Sequence, residues 1–192
     1  MRVISGTSKG RRLSTQRGQI LRPTSARIKE SVFGILGEDV VGKVVLDLFA
    51  GTGSLGIEAL SRGARKAFFV ERDRQALRLI QKNLSQCGME GQSEILPGDA
   101  IRAIGVLEAR GEFFDLIFVD PPYERGLLEK TFEKLVAHRI YHERSILVVQ
   151  RDRREPLPES LEGWDLTRER RIGDTIVSFL IPSFSSGEQG FG

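Results

Sequence analysis

Five short apolar runs alternate with segments of helical periodicity between Val44 and Gln150, and this alternation narrows the folds open to the chain more than any other feature. The runs Val44–Phe49, Ala67–Glu71, Ser93–Leu96, Asp115–Val119 and Ser145–Gln150 read as strands bounded by turn residues. Between them Leu55–Arg62, Arg74–Cys87, Ile101–Ala109 and Leu127–Arg139 read as helices. The first closes at Gly63, which suits the left-handed position after a helix, and the second turns Ala76, Leu77, Ile80 and Leu84 to one side. Strand–helix–strand repetition predicts an α/β fold with a doubly wound, mostly parallel sheet and right-handed crossovers. The pattern breaks near the end. Trp164–Arg171 and Asp174–Ile181 are strand-like with only Ile172-Gly173 between them, which predicts an antiparallel hairpin on the sheet edge and seven strands in all.

A chain of 192 residues is long enough for one well-buried domain with a small appendage. No apolar run approaches membrane-spanning length, and Met1–Gly6 lacks the apolar core of a signal peptide, so a cytoplasmic protein is expected. Cys87 is the single cysteine, which excludes an internal disulfide and a cysteine-rich zinc site. His138 and His142 stand four residues apart, but no acid of the zinc-protease type lies between them; solvated or helix-end roles are expected, and no metal.

The overall charge of +3 hides an asymmetry: residues 1–30 carry a local +7, leaving −4 for the rest. A basic arm on a mildly acidic body suits phosphate binding, whereas a merely solvated tail would lack the turn pairs Ser5-Gly6, Lys9-Gly10 and Arg22-Pro23-Thr24. Val3-Ile4 is expected to pair with Arg12-Leu13 across the Gly6–Gly10 turn region. Thr24 or Ser25 is expected to N-cap a helix to Leu36, with Ile28, Val32, Phe33, Ile35 and Leu36 on one face. The expected organisation is a basic extension over 1–37, a catalytic domain over 38–182 and a disordered Ser/Gly-rich tail over 183–192.

Asp47-Leu48-Phe49-Ala50-Gly51-Thr52-Gly53-Ser54-Leu55-Gly56 follows the first strand and opens a helix, with Gly51, Gly53 and Gly56 in the spacing G-x-G-x-x-G. Glu71 ends the next strand, where an acid can hold a ribose diol. The motif serves dinucleotides and other nucleoside cofactors alike. Asp47 shifts the balance, because a carboxylate inside the strand would repel a pyrophosphate on the loop. It suits instead a cofactor carrying an ammonium and a sulfonium, namely S-adenosylmethionine. Asp99 and the Ala100 backbone N–H can read an adenine edge, and Asp99 is also a fitting N-cap for the helix at Ile101.

Asp120-Pro121-Pro122-Tyr123 ends the fourth strand. In an open α/β sheet the carboxyl ends of the strands are where ligands bind. Asp120 and the Pro121 carbonyl can accept from both N–H groups of a planar amine, and the two prolines fix φ and remove competing donors. Tyr123 can stack on a base, a contact worth about 1–3 kcal/mol. A strand-ending turn is the plain alternative. It weakens because this motif, the glycine loop and Glu71 fall at the ends of strands four, one and two.

These residues carry a family resemblance that spans nearly the whole chain to about Ile181. It rests on Met1-Arg2-Val3-Ile4-Ser5-Gly6, Lys9-Gly10-Arg11-Arg12-Leu13, Arg22-Pro23-Thr24, Leu46–Gly53, Glu58-Ala59-Leu60-Ser61-Arg62-Gly63-Ala64, Val70-Glu71 and Asp120–Tyr123. The chain resembles the class I S-adenosylmethionine-dependent methyltransferases, and more narrowly the bacterial family that methylates the exocyclic N2 of a guanine in 16S rRNA. Gly34 departs from the family's usual polar residue in that helix. The resemblance implies a Rossmann-like fold, guanine 966 as target, and the small ribosomal subunit or a late assembly intermediate as partner; a monomer is expected, though the resemblance leaves the oligomeric state open. It places Asp47, Phe49, Ala50, Gly51 and Gly53 at the methionine part of the cofactor, Glu71 with Arg72 at the ribose, and Asp99 with Ala100 at the adenine. Asp120, Pro121, Pro122 and Tyr123 become catalytic, and Lys9, Arg11, Arg12, Arg22, Thr24 and Arg27 become RNA contacts. Adenine-N6 or protein-glutamine methylation stays open, since the Asp-Pro-Pro-Tyr motif serves those amines too. More distant rivals are an NAD-dependent oxidoreductase and a non-catalytic RNA-binding module.

Overall fold

The computed structural model describes residues 1–15, 23–122, 126–159 and 161–183. Helix α1 (Pro23–Leu36) leads into β1 (Val44–Asp47), α2 (Ser54–Ser61), β2 (Lys66–Glu71), α3 (Arg74–Cys87) and β3 (Ser93–Pro97). There follow α4 (Ala100–Ala109), β4 (Phe114–Val119), α5 (Leu127–Ala137), β5 (Tyr141–Asp152), β6 (Trp164–Ile172) and β7 (Thr175–Pro182). The seven strands lie in the order β3-β2-β1-β4-β5-β7-β6, parallel except for β7, which runs antiparallel to both neighbours. The expected terminal hairpin is therefore present, with β7 inserted against β5 and β6 at the edge.

Sequence order reverses between β1 and β4, and such a switch point opens a crevice above the carboxyl ends of its two strands. Here those ends are Asp47 and Val119, with Asp120 next in the chain, held in step by the pairing of Asp47 with Phe118.

Apolar residues alternate between the two faces of the sheet and build a core on each. Val45, Phe69, Phe118, Val148 and Phe179 pack under α1, α2 and α3. Leu46, Phe68, Ile117, Val149 and Leu180 pack under α4 and α5.

Several boundaries differ from the expected ones for local reasons. Helix α1 begins at Pro23, so Thr24 and Ser25, expected as N-caps, lie inside its first turn; proline at the first helical position is preorganised in φ. Strand β1 stops at Asp47, because Leu48 and Phe49 already turn into the glycine loop. Strand β5 begins at Tyr141 rather than Ser145, its first pair lying beyond a register shift; the Ser145 hydroxyl donates to the Phe114 carbonyl at 2.7 Å there. Residues 184–192 of the expected tail lie outside the described residues.

The basic N-terminal segment is docked against the sheet's own core. Its strands meet through an antiparallel Arg2–Arg12 bridge, with Val3 N donating to Arg11 O at 3.0 Å and Gly10 N to Val3 O at 2.9 Å. Arg12 faces Arg2 where the expected register puts Ile4, a shift of two residues, and Val3 and Leu13 enter the same core as α1 and α2. Ser5–Ser8 then wrap the C-terminus of α2: Thr7 N donates to Ser61 O at 2.8 Å, and Ser8 N to Ser61 Oγ at 3.0 Å. Gly6 has φ +80°, and a Cβ there would stand 1.6 Å from the Ser61 carbonyl oxygen, so only glycine fits.

Candidate functional site

The loop after β1 is shaped by its glycines. Gly51 and Gly53 have φ +55° and +77°, and Gly53 N donates to Ala50 O at 2.7 Å, closing a tight turn onto the N-terminus of α2. Gly56 serves a different purpose: a Cβ there would meet the Phe69 ring at 2.3 Å, so the third glycine lets α2 approach β2.

Glu71 fastens this loop to the end of β2. Its Oε2 accepts from Gly51 N at 2.7 Å, and its Oε1 accepts from Arg72 N and Asp73 N at 2.8 Å each. The next turn is joined on as Gly98 N donates to Glu71 O at 2.9 Å. Asp99 caps α4, its Oδ1 accepting from Ile101 N and Arg102 N at 3.1 Å each, with Ala100 as the first residue of that helix. The ends of β1, β2 and β3 thus form one stitched ridge.

Beneath the ridge lies a cavity of about 170 Å³. Its walls include Asp47 from the end of β1, Phe49, Ala50 and Gly51 from the loop, Asp120 just past β4, and Gln150 from β5. Asp47 is 2% exposed, and its Oδ2 accepts from Gly56 N at 3.1 Å. Burial pushes its carboxyl up to about 7, against the Gly56 hydrogen bond and with help from the negative charge of Glu71. Asp120 is also pushed up to about 7, by burial first and by the negative charge of Asp47 second. Two carboxylates that resist ionisation in one small space form a trap for a cation, because a positive ligand removes both the repulsion and the poor solvation.

The cavity also has a wall that sequence reasoning misses. Ile28 and Lys29 of α1 line it. Lys29 is 2% exposed and donates to Arg2 O at 2.8 Å and to Glu58 Oε2 at 3.2 Å. Burial lowers its pKa, and Glu58 works in the opposite direction. Glu58 itself is fully buried, and it accepts from Ile4 N at 2.8 Å, Ser5 N at 3.0 Å and Arg62 Nε at 2.9 Å as well. The one signal in the sequence is a lysine inside the apolar stripe of α1, next to Ile28.

Of the expected cofactor positions, Asp47, Phe49, Ala50 and Gly51 line the cavity, while Gly53, Glu71, Arg72, Asp99 and Ala100 build the ridge beside it. Asp120 lines the cavity; Pro121 is buried next to it and Pro122 is exposed. Tyr123 and Arg22 lie outside the described residues, as does the side chain of Thr24. Lys9, Arg11, Arg12 and Arg27 are exposed, and Arg11 Nη1 donates to the Gln86 carbonyl at the end of α3. The two histidines pair with acids: His138 Nδ1 lies 2.7 Å from Glu108, and His142 Nε2 lies 3.1 Å from Asp115. No helix among the described residues is long and apolar enough to cross a membrane.

The family described as "Conserved hypothetical protein 95" matches residues 1–181. The chain belongs to this family. The match takes in the basic arm and the terminal hairpin as well as the cavity. "Putative rRNA methyltransferase YlbH" of Bacillus subtilis is 38% identical over 178 residues, which covers 93% of this chain and 97% of that one. "Ribosomal RNA small subunit methyltransferase D" of Escherichia coli K12 is 35% identical over 173 residues, 90% of this chain and 85% of that one. Among solved structures, "Putative methyltransferase yhhF from Escherichia coli" superposes with a TM-score of 0.82 at 29% identity, over 96% of this chain and 98% of that one. The fold is the Rossmann-like fold of class I methyltransferases.

Proposed function

We propose that this family member transfers a methyl group from S-adenosylmethionine to the exocyclic N2 of a guanine in 16S rRNA, guanine 966, within the small subunit or a late assembly intermediate. The observation that carries the reading is the pair Asp47 and Asp120, a buried and a half-buried carboxylate facing one cavity at the switch point of the sheet. At about 170 Å³ the cavity is smaller than the roughly 300–1,000 Å³ of a whole ligand site, which fits a cationic part held in it and a nucleoside part lying along the ridge. The names of the relatives supply the rRNA.

When bound, S-adenosylmethionine supplies an electrophilic methyl group on a sulfonium. The residues of the chain do the rest. Asp47 balances the positive charge and anchors it at the loop. Asp120 accepts an N–H of the guanine amine, which holds the nitrogen still and draws its lone pair out of conjugation with the ring. As the C–N bond forms the methyl–sulfur bond would break, its electron pair leaving with the sulfur as a neutral thioether, and the amine nitrogen, now acidic, gives its proton to Asp120 or to water. Alignment and a preplaced acceptor carry the catalysis. The target base must leave its stack to reach Asp120, which favours a nucleotide in a loop. The arm arginines then hold phosphates around it.

The deciding experiment is methyl transfer from labelled S-adenosylmethionine to small subunits that lack the modification, followed by nucleoside analysis. N2-methylguanosine is the expected product; N6-methyladenosine, or label in protein, overturns the reading.

Asp47→Asn separates charge from shape. The native carboxyl keeps its proton up to about pH 7, whereas in the unfolded chain it loses it near pH 4. The native state therefore holds more protons over that interval, and the stability of the unliganded protein falls as pH rises through it. Asparagine never ionises, so the variant should melt higher than the wild type at pH 8 without cofactor. Its affinity for S-adenosylmethionine should drop about 10–100-fold, since a charged hydrogen bond contributes about 1.5–3 kcal/mol. Calorimetry checks both, and unchanged affinity would remove Asp47 from the cofactor site.

The arm yields a second expectation. Activity should fall steeply with salt, and more gently in an Arg11→Ala/Arg12→Ala variant, because fewer counterions are released when fewer phosphates are held. Equal salt slopes for the two proteins would take the arm out of RNA binding.

A further inference from the structure

The edge strand β6 has no part in the reaction so far, yet it places two exposed arginines on one face. Directly opposed residues on neighbouring strands point to the same side of a sheet. Arg170 opposes Val177, and Val177 opposes Gln150 on β5; Arg168 opposes Phe179, and Phe179 opposes Val148. Val177, Phe179 and Val148 belong to the core beneath α1, so Arg168 and Arg170 stand on the α1 face, the face from which Gln150 enters the cavity wall. Glu169 points the other way. It accepts from Arg151 Nη2 at 2.7 Å and from Ser178 Oγ at 2.6 Å. Glu169 is thus neutralised on one face, while Arg168 and Arg170 are exposed on the other, which Asp165 shares at the start of the strand, and the two arginines have no ion-pair partner among the described residues.

Position gives these two cations a use. Gln150 and Arg170 share one cross-strand row two strands apart, roughly 10 Å at ordinary strand spacing. Arg168 continues along the same face. Helix α1 packs against β6, and it lies between the cavity and the arginines, with Arg27 exposed on its own surface. A polyanion whose reacting base sat by Asp120 and Gln150 would cross the N-terminal half of α1 and meet Arg170 and then Arg168.

We propose that the α1 face of β6 is a second phosphate-binding surface, engaging the RNA backbone that flanks the target nucleotide on the side away from the N-terminal arm. This rests on the function proposed above. Fixed guanidinium groups on a strand hold phosphates in register without reading sequence, which suits an enzyme that must present one nucleotide of a folded RNA. Charge on an edge strand also discourages strand-to-strand aggregation, and that role would require no RNA at all.

The test uses the full chain, small subunits lacking the modification, and an Arg168→Ala/Arg170→Ala variant. Removing two phosphate-binding cations should lower the slope of log affinity against log salt by about 1.4–1.8 and weaken binding about 20-fold near physiological salt. The affinity for S-adenosylmethionine and the melting temperature should stay as in the wild type, and Arg168→Lys/Arg170→Lys should recover most of the binding. An unchanged salt slope with new self-association in sedimentation overturns the proposal and leaves the arginines as edge protection. If the wild type itself fails to methylate the subunits, the proposed function fails, and the salt slopes still decide whether β6 binds RNA.

Discussion

Asp120→Ala is expected to reduce methyl transfer by at least about 10³-fold while S-adenosylmethionine still binds. Loss of one preplaced polar partner at a reacting centre commonly removes about 10²–10³ in rate, and loss of a proton acceptor removes about 10²–10⁴. Asp120 is proposed to do both. Cofactor binding should persist because Asp47 and the glycine loop remain to hold the cationic part. The pH profile is a second readout. In the free enzyme both carboxyls hold their protons up to about pH 7, so kcat/KM should rise with pH through that region. The bound cation favours ionisation, so the corresponding limb of kcat should lie at lower pH. Rapid-quench transfer assays with parallel calorimetry check the pair of expectations. A variant that loses cofactor binding in step with activity would make Asp120 a scaffold for the cofactor site and not an acceptor for the amine.

The sheet is legible in the sequence because its signals are local. Apolar runs with turns between them predict strands, and strand–helix alternation predicts parallel order, so β1 to β5 lie within a few residues of their expected ends. Asp47, the glycine loop and Asp120 are legible for the same reason: they follow strands whose carboxyl ends face one crevice by topology. Glu58 and Lys29 are not. A glutamate in the middle of α2 looks like a solvated face, and nothing in the sequence shows that the backbone of Ile4 and Ser5 folds back 53 or more positions to meet it. Glu71 stands out by its distance from Gly51, yet its bonds to the Gly51, Arg72 and Asp73 amides depend on how the turn folds, and spacing does not contain that. The face that Arg168 and Arg170 occupy depends on the register with β7, which a bulge between Leu166 and Arg168 alters.

Glu58→Ala is expected to be the most destabilising single change outside the apolar core. The wild-type carboxylate is fully buried and satisfies four donors, two of them the amides that begin the arm and two of them cations, Lys29 and Arg62. Removing it leaves the Lys29 ammonium buried without its anion, and breaking a buried pair from one side costs about 3–5 kcal/mol. For a domain of this size that is a drop of roughly 10 °C or more in melting temperature. The loss should have a defined location: amide exchange at Ile4, Ser5, Thr7 and Ser8 should approach that of an unfolded segment while β1 and β4 stay protected. The cavity should feel it as well. Lys29 lines the same cavity as Asp47 and Asp120, and once released from Glu58 it can turn to those carboxylates. It would then compete with a cationic ligand, so affinity for S-adenosylmethionine should fall together with stability. Adding Lys29→Met separates the two effects, since it removes both the stranded charge and the competitor. The double variant should regain cofactor affinity and part of the lost stability, while the arm amides remain exchangeable because their acceptor is still missing. If the double variant binds the cofactor no better than Glu58→Ala alone, the arm itself, and not Lys29, is what links Glu58 to the cavity.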